Sequence, residues 1–510
     1  MVQSLGLAID PRSGTSLYQQ IFDQVVTRIR SGAFPAGFRL PPTRALASAL
    51  RTNRNTVVRA YEDLLAAGFV DSTVGRGTFV ADSRSPTTAP TREGSTLAAG
   101  GMPWSTLLAR PIFAEPLSRI ERLQRSIGPM STDAINLARL EPSADLIPNE
   151  LLRRCSEHVL RTSRGTAFRY SNRDGTPRLR GLIAVDLARQ GVPASADDII
   201  VTSGSQQAID LVTRALVNPG DPFLVDEWTY AGALNILSAT GARLVAVPSD
   251  DEGPSLSALE RVSHIGAKGF YLMPNSQNPT GASISARRRE TLIEWSRRSG
   301  VPLIEDDYVA DLNLDGSAAP VALRALDGDV IYLGSFSKRL APGLRVGFMV
   351  VPPLFRQKLM LLKHAADSGS SEFLQHVLSE FLERGYLDAH LSKSIPEYRS
   401  RRDALEAGLE RHLPKEITWR RPERGLSLWL SLPASISPQE LFEQAQRKGV
   451  IVQPSSLNAV EDRDEGGLRL AYCGEPEARL LEGARRLGRA VSALVGRGRS
   501  GESVPTLGGI

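Results

Sequence analysis

The chain has 510 residues, 41% of them apolar and 23% charged. That balance excludes a disordered or fibrous protein and, at roughly 100–200 residues per domain, implies two to four compact units. Apolar runs fall short of the about 18 residues that a membrane crossing needs, and the opening MVQSLGLAIDPRSG lacks a basic-then-apolar secretory pattern, so a cytoplasmic location is expected.

Net charge is +5, and between Arg28 and Arg76 eight arginines face only Glu62, Asp63 and Asp71, so this stretch carries the surplus of the whole chain. A local basic excess points to a polyanion such as nucleic acid. In SLYQQIFDQVVTRIRSG, Leu17, Ile21, Val25 and Ile29 recur every four residues, the face of a helix closed by Gly32. A second helix follows in PPTRALASAL, with Thr43 as N-cap and Leu46 and Leu50 inward. A third, NRNTVVRAYEDLLAAG, turns Val57, Tyr61, Leu64 and Leu65 inward and stops at Gly68. FVDSTVGRGTFVA reads as a hairpin around Gly75-Arg76-Gly77. Three helices and a basic hairpin make a winged helix-turn-helix over residues 1–82. Arg54, Asn55 and Thr56 open the recognition helix, where side chains meet base edges and phosphates. Arg44 is placed to reach the DNA backbone and Arg76 to enter a minor groove.

Residues 83–103 hold 16 Ser, Thr, Pro, Gly or Ala out of 21, too little apolar surface to order themselves; a linker over 83–130 is expected. Beyond it, over 131–495, DIIVTSG, FLVDEW, ARLVAVP, GFYLMP, VPLIEDD, VIYLGS and VGFMVV are short apolar runs alternating with helical stretches. The pattern predicts an α/β unit, an open, mostly parallel sheet covered by helices, with ligands at the strand ends. A loose tail is expected over 496–510.

Chemistry concentrates at those strand ends. In SFSKRLAPGLRVG, Lys338 follows a strand and can condense with an aldehyde cofactor if its surroundings keep the amine neutral. Ser335, Ser337 and Arg345 beside it offer hydrogen bonds and a forked cation for a phosphate. TSGSQQAIDL opens a helix, so the backbone amides of Ser205 and Gln206 can cradle the same group. In LIEDDY a carboxylate can hold a pyridine nitrogen protonated, and Tyr308 and Asn278 can bond a ring oxygen. Tyr230 can stack on the ring. Together these are the handles of pyridoxal 5'-phosphate.

The LPxxR, NRNTVVRAY and GRGTFV blocks resemble the DNA-binding domain of GntR-family bacterial regulators across residues 16–80. That resemblance places Arg44, Arg54, Thr56 and Gly77 at DNA-contacting positions; Val58 stands where some members carry a second arginine. Residues 130–495 resemble the fold type I aminotransferases. The likeness implies Lys338 as Schiff-base lysine, Arg469 as ligand of a substrate carboxylate, and Tyr170 reaching the neighbouring subunit's phosphate. Asp306 is preferred for the ring nitrogen, while Glu305, three residues before the tyrosine, stays open. The whole chain resembles the MocR/GabR subfamily of GntR regulators. The resemblance implies a head-to-tail homodimer on operator DNA, responding to pyridoxal phosphate or an amino compound with little or no turnover. A working aminotransferase with a DNA-binding appendage is the rival.

Overall fold

The computed structural model describes residues 7–10, 16–30, 33–35, 37–66, 69–73, 77–80, 107–126, 132–170, 172–309, 311–317, 320–461, 463 and 465–500. The chain divides into two compact units, Met1–Leu108 and Ala109–Ile510.

In the small unit, α1 (Leu17–Arg30), α2 (Thr43–Ala49) and α3 (Arg54–Ala66) enclose Ile21, Val25, Leu46, Val57 and Leu64. Strands β1 (Arg39–Leu40), β2 (Val70–Thr73) and β3 (Gly77–Val80) form an antiparallel sheet in the order β1-β3-β2. The wing is therefore three-stranded where a hairpin is expected. Thr43 is the first helical residue rather than the N-cap; Pro42 holds the cap position, and no side chain caps the helix. Leu65 is 45% exposed instead of inward, because Val57, Tyr61 and Leu64 already define the buried stripe and the next residue turns about 100° away from Leu64. Gly32, Gly68 and the Gly75-Arg76 turn lie outside the described residues.

The large unit is built on a seven-stranded sheet, and its strands are the seven apolar runs. They are β4 (Ile199–Thr202), β5 (Pro222–Asp226), β6 (Arg243–Val247), β7 (Phe270–Leu272), β8 (Leu303–Asp307), β9 (Ile331–Ser335) and β10 (Gly347–Val350). Their order is β4-β10-β9-β8-β7-β5-β6, with only β10 antiparallel to its neighbours. Side chains alternate between two cores, Phe223, Val225, Tyr271 and Ile304 on one face, Leu224, Phe270, Leu272 and Leu303 on the other. A smaller antiparallel sheet contains β11 (Thr418–Trp419), β12 (Ser427–Ser431), β13 (Gln453–Pro454) and β14 (Gly467–Ala471) in the order β11-β12-β14-β13.

Two boundaries differ from expectation. Within the stretch expected to be linker, Arg110–Phe113 forms a helical turn and α4 (Glu115–Ser126) packs into the large unit. There Arg119 donates to the carbonyls of Ser456 (2.5 Å), Ala459 (2.6 Å) and Val460 (2.9 Å). At the other end the last helix, Glu477–Ser500, runs four residues past the expected start of a tail at 496. Among the described residues no helix is long and apolar enough to cross a membrane.

Candidate functional site

Strand alternation separates the acidic residues of LIEDDY. Glu305 turns to the face of Leu303 and accepts the backbone amides of Leu323 (3.1 Å) and Arg324 (2.9 Å), capping the short helix Leu323–Leu326. Asp307 accepts from the Tyr332 hydroxyl at 3.1 Å and from Asn275 Nδ2 at 3.3 Å. Asp306 points the other way, with Ile304, and its Oδ2 accepts from the Tyr271 hydroxyl at 2.5 Å. Its Oδ1 is buried with no hydrogen-bond partner among the described residues. Burial pushes its pKa up to about 7, against the Tyr271 hydrogen bond. Of the two carboxylates open for the ring nitrogen, Glu305 is thus spent on backbone amides, and Asp306 keeps a free oxygen.

Lys338 lies just beyond β9, where its Nζ donates to the carbonyl of Leu140. Burial lowers its pKa below the ordinary lysine value, and the nearby guanidinium groups of Arg469 and Arg345 add to that, against Glu141. The adjoining Arg339 anchors this turn: it is buried and bridges Asp186 (2.7 and 3.1 Å) and Asp311 (2.8 and 2.6 Å). Cys473, within electrostatic reach of Lys338, is a neutral thiol whose pKa burial raises to about 11.

An anion cup forms where β4 meets α5 (Ser205–Leu216). Gly204 caps the helix at φ +86°, and a Cβ there would lie 2.8 Å from Arg345 Nη2. Arg345, itself at φ +51°, donates from Nη2 to the Ser203 carbonyl at 2.9 Å. A Cβ on Gly347 would sit 2.7 Å from the Gly204 carbonyl carbon, so glycine is required for this close approach. The first-turn amides, including those of Ser205 and Gln206, have no acceptor within the helix and favour an anion. Ser335 Oγ accepts from the Ser337 amide at 3.1 Å.

Arg469, 5% exposed, donates from Nη1 to Asn278 Oδ1 (3.0 Å) and from Nη2 to the Ala138 carbonyl (2.5 Å), while its buried Nε has no partner among the described residues. Burial lowers its pKa to about 10. The Tyr308 hydroxyl donates to the Ser276 carbonyl at 2.8 Å, which leaves its oxygen lone pairs to accept. Tyr230, at the start of the helix Ala231–Ala239, accepts from Gln206 Nε2 at 3.1 Å and feels the charges of Asp306, Arg469 and Arg345. The structure thus brings Lys338, Arg345, Arg469, Asn278, Asp306, Tyr308, Tyr230 and Gln206 into one cluster. Tyr170, 92% exposed, does not join it on its own chain. Tyr271, Arg339, Cys473 and the carbonyls of Ala138 and Leu140 are participants that sequence reading missed.

On the small unit, Arg54 and Asn55 are exposed in the first turn of α3, Thr56 is half-buried behind them, and Arg44 is exposed on α2. The Asn53 side chain accepts the Asn55 amide at 3.0 Å and so caps the recognition helix. Gly77 sits at φ +115° against the Arg39 guanidinium, 3.0 Å from where a Cβ would stand. Arg76 lies outside the described residues.

This donor set fits pyridoxal 5'-phosphate: a lysine amine whose pKa burial lowers, a carboxylate oxygen left unpaired in a buried pocket, and an anion cup. Residues 17–80 match the gntR family of bacterial regulatory proteins, and residues 132–487 match aminotransferase class I and II. The probable rhizopine catabolism regulatory protein MocR of Rhizobium meliloti is 31% identical over 96% of this chain and 97% of its own. The uncharacterized HTH-type transcriptional regulator YdfD of Bacillus subtilis is 30% identical over 94% and 97%. The α-aminoadipate aminotransferase LysN of Thermus thermophilus, solved with N-(5'-phosphopyridoxyl)-L-leucine, superposes with a TM-score of 0.71 at 32% identity, covering 78% of this chain and all of LysN. The chain belongs to the GntR family of bacterial transcription regulators, among its MocR-type members, in which a DNA-binding domain is joined to an aminotransferase-type domain for pyridoxal 5'-phosphate.

Proposed function

We propose that the large unit senses a small amino compound bearing a carboxylate, and that occupancy of this position alters how the small unit holds operator DNA in the cytoplasm. The observation that carries the reading is the shared resting place of two cations. Lys338 and Arg469 both donate to carbonyls of one short segment, Leu140 and Ala138. Each has its pKa lowered by burial. Both are therefore poised to exchange a backbone acceptor for a ligand. Pyridoxal 5'-phosphate, when bound, supplies an aldehyde for an amine and an electron-withdrawing ring.

In this reading Lys338 presents an amine whose pKa burial lowers, so that it gives up its proton more readily than a surface lysine. Asp306 turns its unpaired Oδ1 to the ring nitrogen, and its raised pKa suits a shared proton at that oxygen. Tyr308 and the Nδ2 of Asn278 bond the ring oxygen, and Tyr230 covers the ring face. Ser205, Gln206, Ser335, Ser337 and Arg345 take the phosphate, completed by Tyr170 from the other chain of a head-to-tail homodimer. Arg469, oriented by Asn278, takes the effector's carboxylate. Arg44, Arg54, Asn55, Thr56, Arg76 and Gly77 meet the operator. Amino acids titrated into the cofactor-loaded protein should change its visible spectrum without sustained release of a keto acid. Sustained release would make the chain an aminotransferase, and a spectrum indifferent to every amine would overturn the reading.

A further inference from the structure

A buried lysine stands apart from the cluster just described. Lys363, fully buried on α6 (Pro353–Asp367), donates to both oxygens of Asp367 (2.8 and 2.6 Å) and to Ser370 Oγ at 3.1 Å. Asp367 Oδ2 also accepts from Gln207 Nε2 at 2.8 Å. Gln207 in turn accepts the Ser203 amide on its Oε1 at 2.8 Å. The Ser203 carbonyl accepts from Arg345 at 2.9 Å. An unbroken polar chain thus runs from the end of α6 into the turn that holds Gly204 and starts α5.

An ion pair in the interior gains little net stability over apolar residues of the same volume, so its presence calls for a reason other than stability. Direction supplies one. The Gln207 amide must accept at one end and donate at the other, and the ionised Asp367 fixes which end does which. With the amide fixed, Ser203 is held at both its backbone groups, its N–H by Gln207 and its carbonyl by Arg345, and with them the aim of the first-turn amides. The far end is braced as well: Asp367 Oδ1 accepts the Gly369 amide at 2.9 Å, and Gln375 Nε2 donates to the Ser370 carbonyl at 3.0 Å.

We propose that Gln207, Asp367 and Lys363 are positioning residues for the phosphate of the cofactor, holding the turn at Ser203 and Gly204 in its anion-binding shape. The inference rests on the cup being the phosphate site. None of the three touches the cofactor in this scheme; they act through the backbone N–H of Ser203.

The test compares the dissociation constants of pyridoxal 5'-phosphate and of pyridoxal, which lacks the phosphate. The proteins are the full-length chain and its Gln207→Leu, Asp367→Asn and Arg345→Ala variants. Gln207→Leu removes both hydrogen bonds at similar volume. Asp367→Asn keeps the shape but sets an amide N–H against Gln207 Nε2 or turns the Gln207 amide over. Each should lower the preference for the phosphorylated form about tenfold, the scale of one lost charge-assisted hydrogen bond, with pyridoxal affinity nearly unchanged. Retained pyridoxal binding also reports that the pocket has folded, and the near-isosteric Asp367→Asn serves if Gln207→Leu does not fold. Equal losses for both compounds, or no loss, would overturn the proposal in favour of general packing. Arg345→Ala tells the two readings apart. If it lowers the phosphate preference and the Gln207 and Asp367 variants do not, only the positioning role fails. If none of the three lowers it, the cup itself has been misassigned.

Discussion

In the small unit Arg44 and Arg54 stand exposed on helix starts and make no ion pair among the described residues. In the large unit Arg469 and Arg339 are buried, one held by an asparagine and a carbonyl, the other by two carboxylates. The contrast follows from what each must bind. A DNA backbone is a long polyanion met in water, so solvated cations recruit it by releasing counterions. A small cofactor needs fixed geometry, and a buried cation keeps that geometry only if every neighbouring dipole is arranged for it. One chain therefore carries a recognition surface sensitive to salt and a pocket sensitive to proton positions.

The pocket depends most on a single side chain. Lys338→Ala should abolish the visible absorption of the bound cofactor and its borohydride fixation to the chain, although the cup can still hold cofactor non-covalently. An unchanged band would remove Lys338 from the site and leave its lowered pKa without a purpose.

The next effect belongs to the surface. With six or more phosphate contacts, operator affinity should fall roughly a thousandfold or more between about 50 and 200 mM salt, whereas cofactor retention should change little over the same range. Arg54→Ala should cost about 1–3 kcal/mol on the specific site if it reads a base edge. Gel-shift or anisotropy titrations check both, and a shallow salt slope would mean that the exposed arginines do not meet phosphates.

How far the sequence shows this contrast depends on which kind of group carries it. All seven strands of the main sheet are legible because their apolar runs are short, strongly β-forming and punctuated by polar turns. Lys338, Arg345 and Arg54 are legible because side chains name themselves. What sequence does not display is which side of a strand faces the pocket. Glu305 and Asp306 are chemically alike, and only the face shared with Ile304 and the amides capped by Glu305 separate them. Nor does it display backbone acceptors: the carbonyls of Leu140 and Ala138 belong to every residue type. Cys473 comes near Lys338 only through the small sheet. Helix α4 was hidden because Leu117, Ile120 and Leu123 are its only apolar residues after the prolines, too sparse to stand out beside the linker composition. Threonine is a common cap, but at Thr43 the preceding Pro42 already sits in the extended conformation that precedes a helix.

A smaller effect sharpens the proton side of the comparison. The neutral amine is the form that condenses with an aldehyde, and each pH unit below a group's pKa cuts that form about tenfold. Because burial lowers the Lys338 pKa, uptake of cofactor by the apoprotein should rise with pH and level off below 10.5, the ordinary lysine value. Stopped-flow absorbance would follow it. A rate still climbing through that value would show that the amine is solvated like any surface lysine.

Coupling between the buried pocket and the exposed reader is read by operator titration of the cofactor-loaded protein. Binding is measured with and without each amino carboxylate that perturbs the visible spectrum, for the native chain and for Arg469→Ala. At least one such compound should change operator affinity, by about 5–150-fold for a coupling of about 1–3 kcal/mol, and Arg469→Ala should weaken the response while leaving the cofactor band intact. Operator affinity and bend angle that stay the same under every compound that reaches the pocket would contradict it.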